Sequence, residues 1–267
     1  AALLMENPTP ESIKIVKSSL EELVKQKPTD VDAYLILIEI SIRERKYDVA
    51  RNYAIQGLGT NSFNTQLMAA RSRIELGAGN STMAAELAKI VIQKDPGNTD
   101  ARDIYVRAAL RSKDKNLLND ANDMIESALE TNPEDENLLL TKANILMALD
   151  QTDIAISEIE TYCQAVPGST SIPAFMTLSD LYYAKGDLAK AEQMILKAES
   201  IDPNNLSLVH SHFMFLVTQQ KYDGFKKIVD LYLSAKAKDV PIILNDATIL
   251  ISLGSQELKD YGIKIFE

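Results

Sequence analysis

The chain has 267 residues, more than one ordinary globular domain, but only ten glycines, nine prolines and no tryptophan, a composition that favours helices. Its formal net charge of −10 and its scattered basic residues argue against nucleic acid as the main partner, because phosphate binding needs clustered Lys and Arg. The single cysteine, Cys163, excludes an internal disulfide. No apolar run approaches ~20 residues, so no membrane-spanning segment is expected.

Both ends of the chain suggest a longer or processed protein. The chain begins with Ala1 rather than Met. Residues 11–27 predict an amphipathic helix that Pro28 stops, and we interpret this helix as the second half of a hairpin whose first helix is mostly missing. The last predicted helix, from residue 256, ends on apolar Ile265 and Phe266, so we expect further repeats to follow it.

Residues 172–205 provide the template for the rest of the chain. They predict two amphipathic helices separated by a break at Lys185-Gly186-Asp187 and closed by Pro203. Apolar and small residues recur along each helix at three- and four-residue spacing: Phe175, Leu178 and Tyr182 on the first, then Ala191, Ile195 and Ala198 on the second.

This order of an aromatic residue, Leu with a small residue, Tyr, a Gly turn, two Ala positions and a closing Pro resembles the tetratricopeptide repeat (TPR). Phe175 stands where that family usually has Trp, and Leu178-Ser179 stands for Leu-Gly. Two helices approach closely only where side chains are small, a role that we assign to Ser179 and Ala191, with Ala198 facing the next repeat. One such hairpin cannot bury its apolar faces alone, so neighbouring repeats are required.

The pattern recurs along the chain, and its closing prolines are spaced by 34 to 37 residues. The resemblance implies an all-α fold, a right-handed α-α superhelix (TPR solenoid) of about seven helical hairpins, in a single domain over 1–267. The closing prolines are Pro96, Pro133, Pro167 and Pro203. The predicted units are 1–30 (partial), 31–64, 65–99, 100–135, 136–169, 170–205, 206–239 and 240–267 (partial).

Two units depart from the template. In 65–99 the turn Gly77-Ala78-Gly79-Asn80 is lengthened, which leaves the register of residues 68–76 open by one or two positions. In 206–239, around the turn Lys221-Tyr222-Asp223-Gly224, Phe213 and Phe225 fall where small residues are expected. A shift of one residue would place Gly224 at the close contact instead, so we expect this pair to pack with altered geometry.

The first helices of TPR hairpins line the concave surface, so the resemblance implies that their non-packing residues contact a partner. Their mixture of Met, Tyr, amide and charge suits an extended peptide or an amphipathic helix. A solvated helix surface has the same polar character, and under that alternative several of these residues contact nothing. The nominated residues are Arg107, Asn144, Met147, Met176, Thr177, Asp180, Tyr183, His210 and Met214, with Leu35 and Glu39, and Arg73 only if the register of its helix holds.

Two ligand types of the family are not predicted. Some TPR proteins bind chaperone tails through a two-carboxylate clamp, and Asn144 fits one clamp position, but Leu140 stands where the matching Lys belongs. Another TPR subclass has a ladder of Asn along the groove. That ladder is absent here, where the equivalent positions include Arg107, Thr141, Thr177 and Ser211.

Residues that could support catalysis are scattered. His210 and His212 lie about 200° apart around a helix axis and cannot easily share a metal. Cys163 has no plausible triad, and we interpret it as a half-buried structural thiol. Carboxylates such as Glu158 and Glu160 are expected to be surface charges. We predict no catalytic residue, cofactor or metal site.

The sequence therefore predicts a non-catalytic protein-interaction scaffold that binds a peptide or protein in its concave groove. The alternatives are a regulatory or substrate-docking region of a larger enzyme or secretion assembly, and a peptide-sensing receptor without its DNA-binding head. Self-association through the apolar ends, Leu3-Leu4 and Ile265-Phe266, is a further expectation. The residue usage suggests a bacterial source, and both the cell envelope or periplasm and the cytoplasm remain open.

Overall fold

The computed structural model describes residues 9–165, 171–221, 224–234, 241–253 and 255–266, and these residues form fifteen α-helices and no strand. The predicted all-α class is confirmed. The predictions for Leu3-Leu4, Pro167 and Tyr222-Asp223 concern residues outside the described ranges. The helices are α1 Pro10–Gln26, α2 Val31–Arg43, α3 Tyr47–Thr60, α4 Thr65–Gly77, α5 Ser81–Lys94, α6 Thr99–Ser112, α7 Lys115–Thr131, α8 Glu136–Ala148, α9 Thr152–Ala165, α10 Ile172–Lys185, α11 Leu188–Ile201, α12 Leu206–Thr218, α13 Phe225–Ser234, α14 Pro241–Ser252 and α15 Gln256–Phe266.

The first helices of six hairpins begin at a short polar residue. In α2, α4, α6, α8, α10 and α12, a side-chain oxygen of the preceding residue accepts a hydrogen bond from the N–H three positions on, as when Asp30 Oδ1 accepts from Ala33 N at 3.0 Å. This bond satisfies one of the N–H groups that a helix leaves unpaired at its start. The six capping residues are Asp30, Asn64, Asn98, Asp135, Ser171 and Asn205.

A residue in the left-handed conformation turns the chain between the two helices of each of six hairpins, with φ between +55° and +89°. The predicted break at Gly186 is confirmed. Between α2 and α3 the left-handed residue is Arg45, and α3 already begins at Tyr47. The six residues are Arg45, Gly79, Lys113, Asp150, Gly186 and Gln220.

The described residues divide into two compact units, within Ala1–Thr131 and Asn132–Glu267. In the first unit the core includes Tyr34, Leu37 and Leu67, all at most 3% exposed. In the second unit Leu178 and Tyr182 of α10 join a larger cluster that extends to α14 and α15. Each unit thus has its own apolar interior.

Small residues lie where helices approach, as the template requires. Ser179 and Ala191 are buried in the α10–α11 hairpin, and Gly57 of α3 lies so close to α4 that an added Cβ would be 3.0 Å from Leu67 Cδ1. The α12–α13 hairpin differs, because Phe213 and Phe225 are both fully buried with ring centroids 5.1 Å apart. Two aromatic rings fill this helix contact in place of small side chains.

Candidate functional site

Eight of the nominated residues lie on the first helices α8, α10 and α12 of the second unit, and we call them the second-unit face. Their three methionines are partly buried and pack against the core of the unit. Asp180 and Tyr183 are exposed, and the other three are partly buried. The face consists of Asn144, Met147, Met176, Thr177, Asp180, Tyr183, His210 and Met214.

Tyr183 is a fixed aromatic group on this face. Its side chain is 45% exposed, yet its ring packs edge-on against Phe215, with centroids 6.2 Å apart and an interplanar angle of 70°. An edge-to-face pair of this kind holds a ring in place. The Tyr183 hydroxyl makes no hydrogen bond to any described residue. It therefore offers both an apolar surface and a polar group to a partner.

Asp180 combines exposure with desolvation. The residue is exposed, but surrounding protein raises the pKa of its carboxyl above the ordinary value, and burial is the cause. A carboxylate can reach water and still be partly desolvated when it lies in a depression of the surface. No described residue forms a hydrogen bond or ion pair with Asp180.

The other charged side chains of α8 and α10 already have ion-pair or hydrogen-bond partners. Lys142 Nζ lies 2.8 Å from Glu158 Oε1, and Lys185 pairs with Asp153. The Ser171 hydroxyl donates to Glu136. Among the described charged residues of α8 and α10, Asp180 is therefore the one without a hydrogen bond or ion pair.

His210 has a different role from the one expected of a free groove residue. Its side chain is 32% exposed, and its Nδ1 lies 2.8 Å from Oδ1 of the fully buried Asp246 on α14. The Tyr232 hydroxyl of α13 donates to the other oxygen of Asp246 at 2.5 Å. One buried carboxylate thus joins α12, α13 and α14.

The second histidine of α12 is also paired with a carboxylate. His212 Nδ1 lies 2.8 Å from Glu199 Oε1, and both side chains are at most 10% exposed. Sequence reasoning treated the carboxylates as surface charges, and for Glu199, Asp246 and Glu75 this expectation is wrong. Each is buried with a hydrogen-bonding partner, which a burial pattern based on apolar residues could not reveal.

In the first unit, the nominated residues Leu35, Glu39 and Arg73 line a cleft of about 640 Å³ beside α2, α4 and the start of α6. Arg73 Nη2 lies 3.0 Å from Asp100 Oδ2, and its Nη1 lies 3.7 Å from Glu39 Oε2. Glu39 Oε1 also pairs with Arg43 Nε at 3.0 Å. Arg73 therefore shares a face with Glu39, and both arginines of the cleft, Arg43 and Arg73, are paired with carboxylates.

Arg107, the remaining nominated residue, is on α6 of the first unit. Its Nη1 lies 3.4 Å from Asp103 Oδ2 on the same helix, and both side chains are more than half exposed. An exposed pair of this kind contributes little to stability. Arg107 belongs to the first unit, so it is not part of the second-unit face.

A buried ion pair joins α3 and α4 of the first unit. Arg51 Nε and Nη2 donate to the two carboxylate oxygens of Glu75 at 2.8 and 2.9 Å, and Asn80 Nδ2 donates to Oε2 at 2.8 Å. These bonds, with Arg51 as the main cause, lower the pKa of Glu75 to about 2. The pair joins two packed helices, and Asn80 adds a contact from the turn before α5, which indicates a structural role.

The described residues give little support to metal binding, thiol chemistry or membrane spanning. They contain no group of His, Cys, Asp and Glu that could hold a metal ion. Burial raises the pKa of the Cys163 thiol, which disfavours the reactive thiolate. Within the described ranges, no helix is both long enough and apolar enough to cross a bilayer.

Comparison with known proteins bears on the fold. A family model for the tetratricopeptide repeat matches residues 172–205, the segment whose two helices are α10 and α11. In this segment the chain is similar to the tetratricopeptide repeat family. A search of curated protein sequences found no match.

Solved TPR structures have the same architecture. A TPR protein from Parabacteroides merdae is 16% identical, with coverage of 96% of this chain and 93% of that one and a TM-score of 0.63. TTC0263, a TPR protein of Thermus thermophilus, is 20% identical over 70% of this chain and 98% of its own, with a TM-score of 0.53. MamA is 18% identical over 67% and 93%, with a TM-score of 0.52. The TPR solenoid fold is thereby confirmed.

Proposed function

We propose that this protein is a non-catalytic scaffold that binds a peptide segment of a protein partner on the second-unit face. The observation that carries the proposal is a set of unsatisfied polar groups. The amide of Asn144, the carboxylate of Asp180 and the hydroxyl of Tyr183 have no hydrogen-bonding partner among the described residues. A peptide could supply those partners, and the fold supports this role for the first helices.

Apolar contact would come from the methionines. Met147, Met176 and Met214 lie on three successive first helices, and each is partly buried against the core. Methionine side chains adapt to irregular surfaces. The combination of apolar area with a few placed polar groups is typical of a peptide-binding surface. Because the helices are already packed, we expect little backbone change on binding.

The first-unit cleft is the weaker candidate. Its ion pairs would have to be broken or covered by a partner, and their lost partners would have to be replaced. The second-unit face has no such requirement at Asn144, Asp180 or Tyr183. We therefore assign binding to the second unit.

The test compares two double variants. Tagged wild-type protein and the variant Asn144→Ala/Tyr183→Ala are used to capture partners from a lysate of the source organism, with mass spectrometry as the readout. The matched control, Ser157→Ala/Leu196→Ala, changes exposed residues of the second helices α9 and α11. Circular dichroism and thermal melting show that each variant is folded.

We expect a partner that wild type and control retain and that the Asn144→Ala/Tyr183→Ala variant loses, with a nearly unchanged melting temperature. Equal capture by all three proteins would remove this face as the binding surface. Recovery of the chain alone would favour self-association, which the exposed Phe266 near the end of α15 would then explain.

A further inference from the structure

We propose that the second-unit face is selective for a peptide segment in which one lysine or arginine is flanked by apolar residues, with the cation paired to Asp180. This inference rests on the proposed function and adds the chemical class of the partner. The position of Asp180, its neighbours and the charges around it support the assignment.

On α10, Asp180 lies between residues that offer apolar surface to a partner. Met176 and Thr177 lie one turn before it and Tyr183 lies one turn after it, so the four residues share one face of α10. Met176 and Tyr183 therefore border the carboxylate on both sides along the helix. A segment lying across this face would meet apolar surface, then a negative charge, then apolar surface.

Charge complementarity with Asp180 indicates which sign of charge the partner should carry. Lys142 and Lys185 are paired with Glu158 and Asp153, so neither compensates Asp180. An acidic peptide would face an unpaired carboxylate, and like charges in contact are repulsive. A basic side chain would instead supply the missing partner. Because surrounding protein partly desolvates Asp180, such a pair is screened less than one on an open surface.

The ring of Tyr183 supports the same choice. In this unit, Lys190 lies over the ring of Tyr182, Lys197 over Phe175 and Lys221 over Phe215, at 4.9 to 5.7 Å from the ring centroids. Among the described residues, no cation lies over Tyr183. Its face can therefore contact the stem or the charged group of a lysine or arginine that binds Asp180.

The experiment uses random short peptides displayed on phage, selected against immobilised wild type, Asp180→Asn and Asp180→Lys. The control variant Asp153→Asn removes the same charge from α9, where Asp153 is paired with Lys185. Circular dichroism verifies that each variant is folded. The readout is the frequency of each residue type among the enriched peptides.

We expect wild type and Asp153→Asn to enrich peptides with a Lys or Arg between apolar residues. Asp180→Asn should keep the apolar preference and lose the basic one, and Asp180→Lys should favour Asp or Glu. A basic preference that persists in Asp180→Asn, or its absence in wild type, would overturn this inference and leave the proposed face in place. If wild type enriches no peptide at all, the proposed function fails together with it.

A binding measurement on the most enriched peptide gives the second test. Replacing its basic residue by Met, or replacing Asp180 by Asn, should each weaken binding by about tenfold, as expected for a hydrogen bond to a charged group. Together the two changes should cost little more than either one, because both remove the same ion pair. Two independent, multiplying losses would contradict the pairing.

Discussion

The two units use the same hairpin but leave their first-helix faces in different chemical states. In the first unit, Arg73 joins Glu39 and Asp100, so these nominated charges are paired within the protein. In the second unit, Asn144 and Asp180 have no described partner. Repetition of a backbone therefore does not repeat a surface, and the unit with unsatisfied groups is the better candidate for binding.

The interiors differ as well. The first unit holds Glu75 with a bidentate arginine, whereas the second holds Asp246 and Glu199 with histidines. Buried carboxylates with partners are costly to disrupt, because removing one group leaves the other uncompensated. Substitutions in these pairs should therefore change the free energy of unfolding by measurable amounts in each unit.

The largest effect is expected from Asp246→Ala in the second unit. The change removes the fully buried acceptor shared by the buried Tyr232 and the partly buried His210, so the free energy of unfolding should fall by about 3 kcal/mol. Urea denaturation gives the measurement. Asp230→Ala, an exposed change on α13, serves as the control and should have little effect. Similar losses for the two variants would show that Asp246 does not join these helices.

Low pH should destabilise the first unit, because it protonates Glu75. Its pKa is lowered from 4.5 to about 2 in the folded state, so its stabilisation is present above about pH 4.5 and is lost as the pH falls towards 2. The shift corresponds to roughly 3 kcal/mol. Urea unfolding of wild type and Glu75→Gln as a function of pH measures it, and the two stabilities should converge in acid. Parallel curves would contradict the role of the Arg51–Glu75 pair.

A larger side chain at a buried small residue tests the predicted close contact between α10 and α11. Ala191 is fully buried between α10 and α11, so Ala191→Leu should destabilise the protein by ~1–3 kcal/mol. Ala189→Leu adds the same atoms at an exposed position of the same helix and should be nearly neutral. A neutral Ala191→Leu would mean that the assigned close contact is wrong.

The smallest effects compare the two faces directly. Arg73→Ala removes a cation shared by two carboxylates, and a loss of about 0.5–1 kcal/mol is expected for an exposed pair. Asp180→Asn should not lower the melting temperature, because the folded state already disfavours the charged form of this carboxyl. Thermal melting of both variants provides the measurement. A clear loss of stability in Asp180→Asn would reveal a partner for it within the protein.

Sequence reasoning identified the features that repeat. Spacing of apolar residues predicted the helices, and the small residues Ser179 and Ala191 predicted their close contact. The left-handed turn residues were harder to predict. Gly79 and Gly186 can be recognised because they are glycines, but Arg45 and Asp150 adopt the left-handed conformation only because the closing of the hairpin imposes it. Local propensity carries no sign of that constraint.

The candidate site was predictable only in part. Helical register nominated Asp180, Tyr183 and the methionines, because positions on a repeat follow from alignment alone. Pairing did not follow, since the contact of His210 with Asp246 joins residues one repeat apart. Which charges remain unpaired depends on such tertiary contacts, so the distinction between the two faces required the structure.

Methionine methyl resonances test the central claim most directly. The three methionines of the second-unit face, Met147, Met176 and Met214, can be compared with Met194 in the core and with Met68, Met83 and Met124 in the first unit. NMR spectra are recorded while the most enriched phage peptide is added, with assignments from single Met→Leu variants. We expect shifts at Met147, Met176 and Met214 that Asp180→Asn reduces. Shifts confined to Met68, Met83 and Met124 would place binding on the first unit and contradict the account.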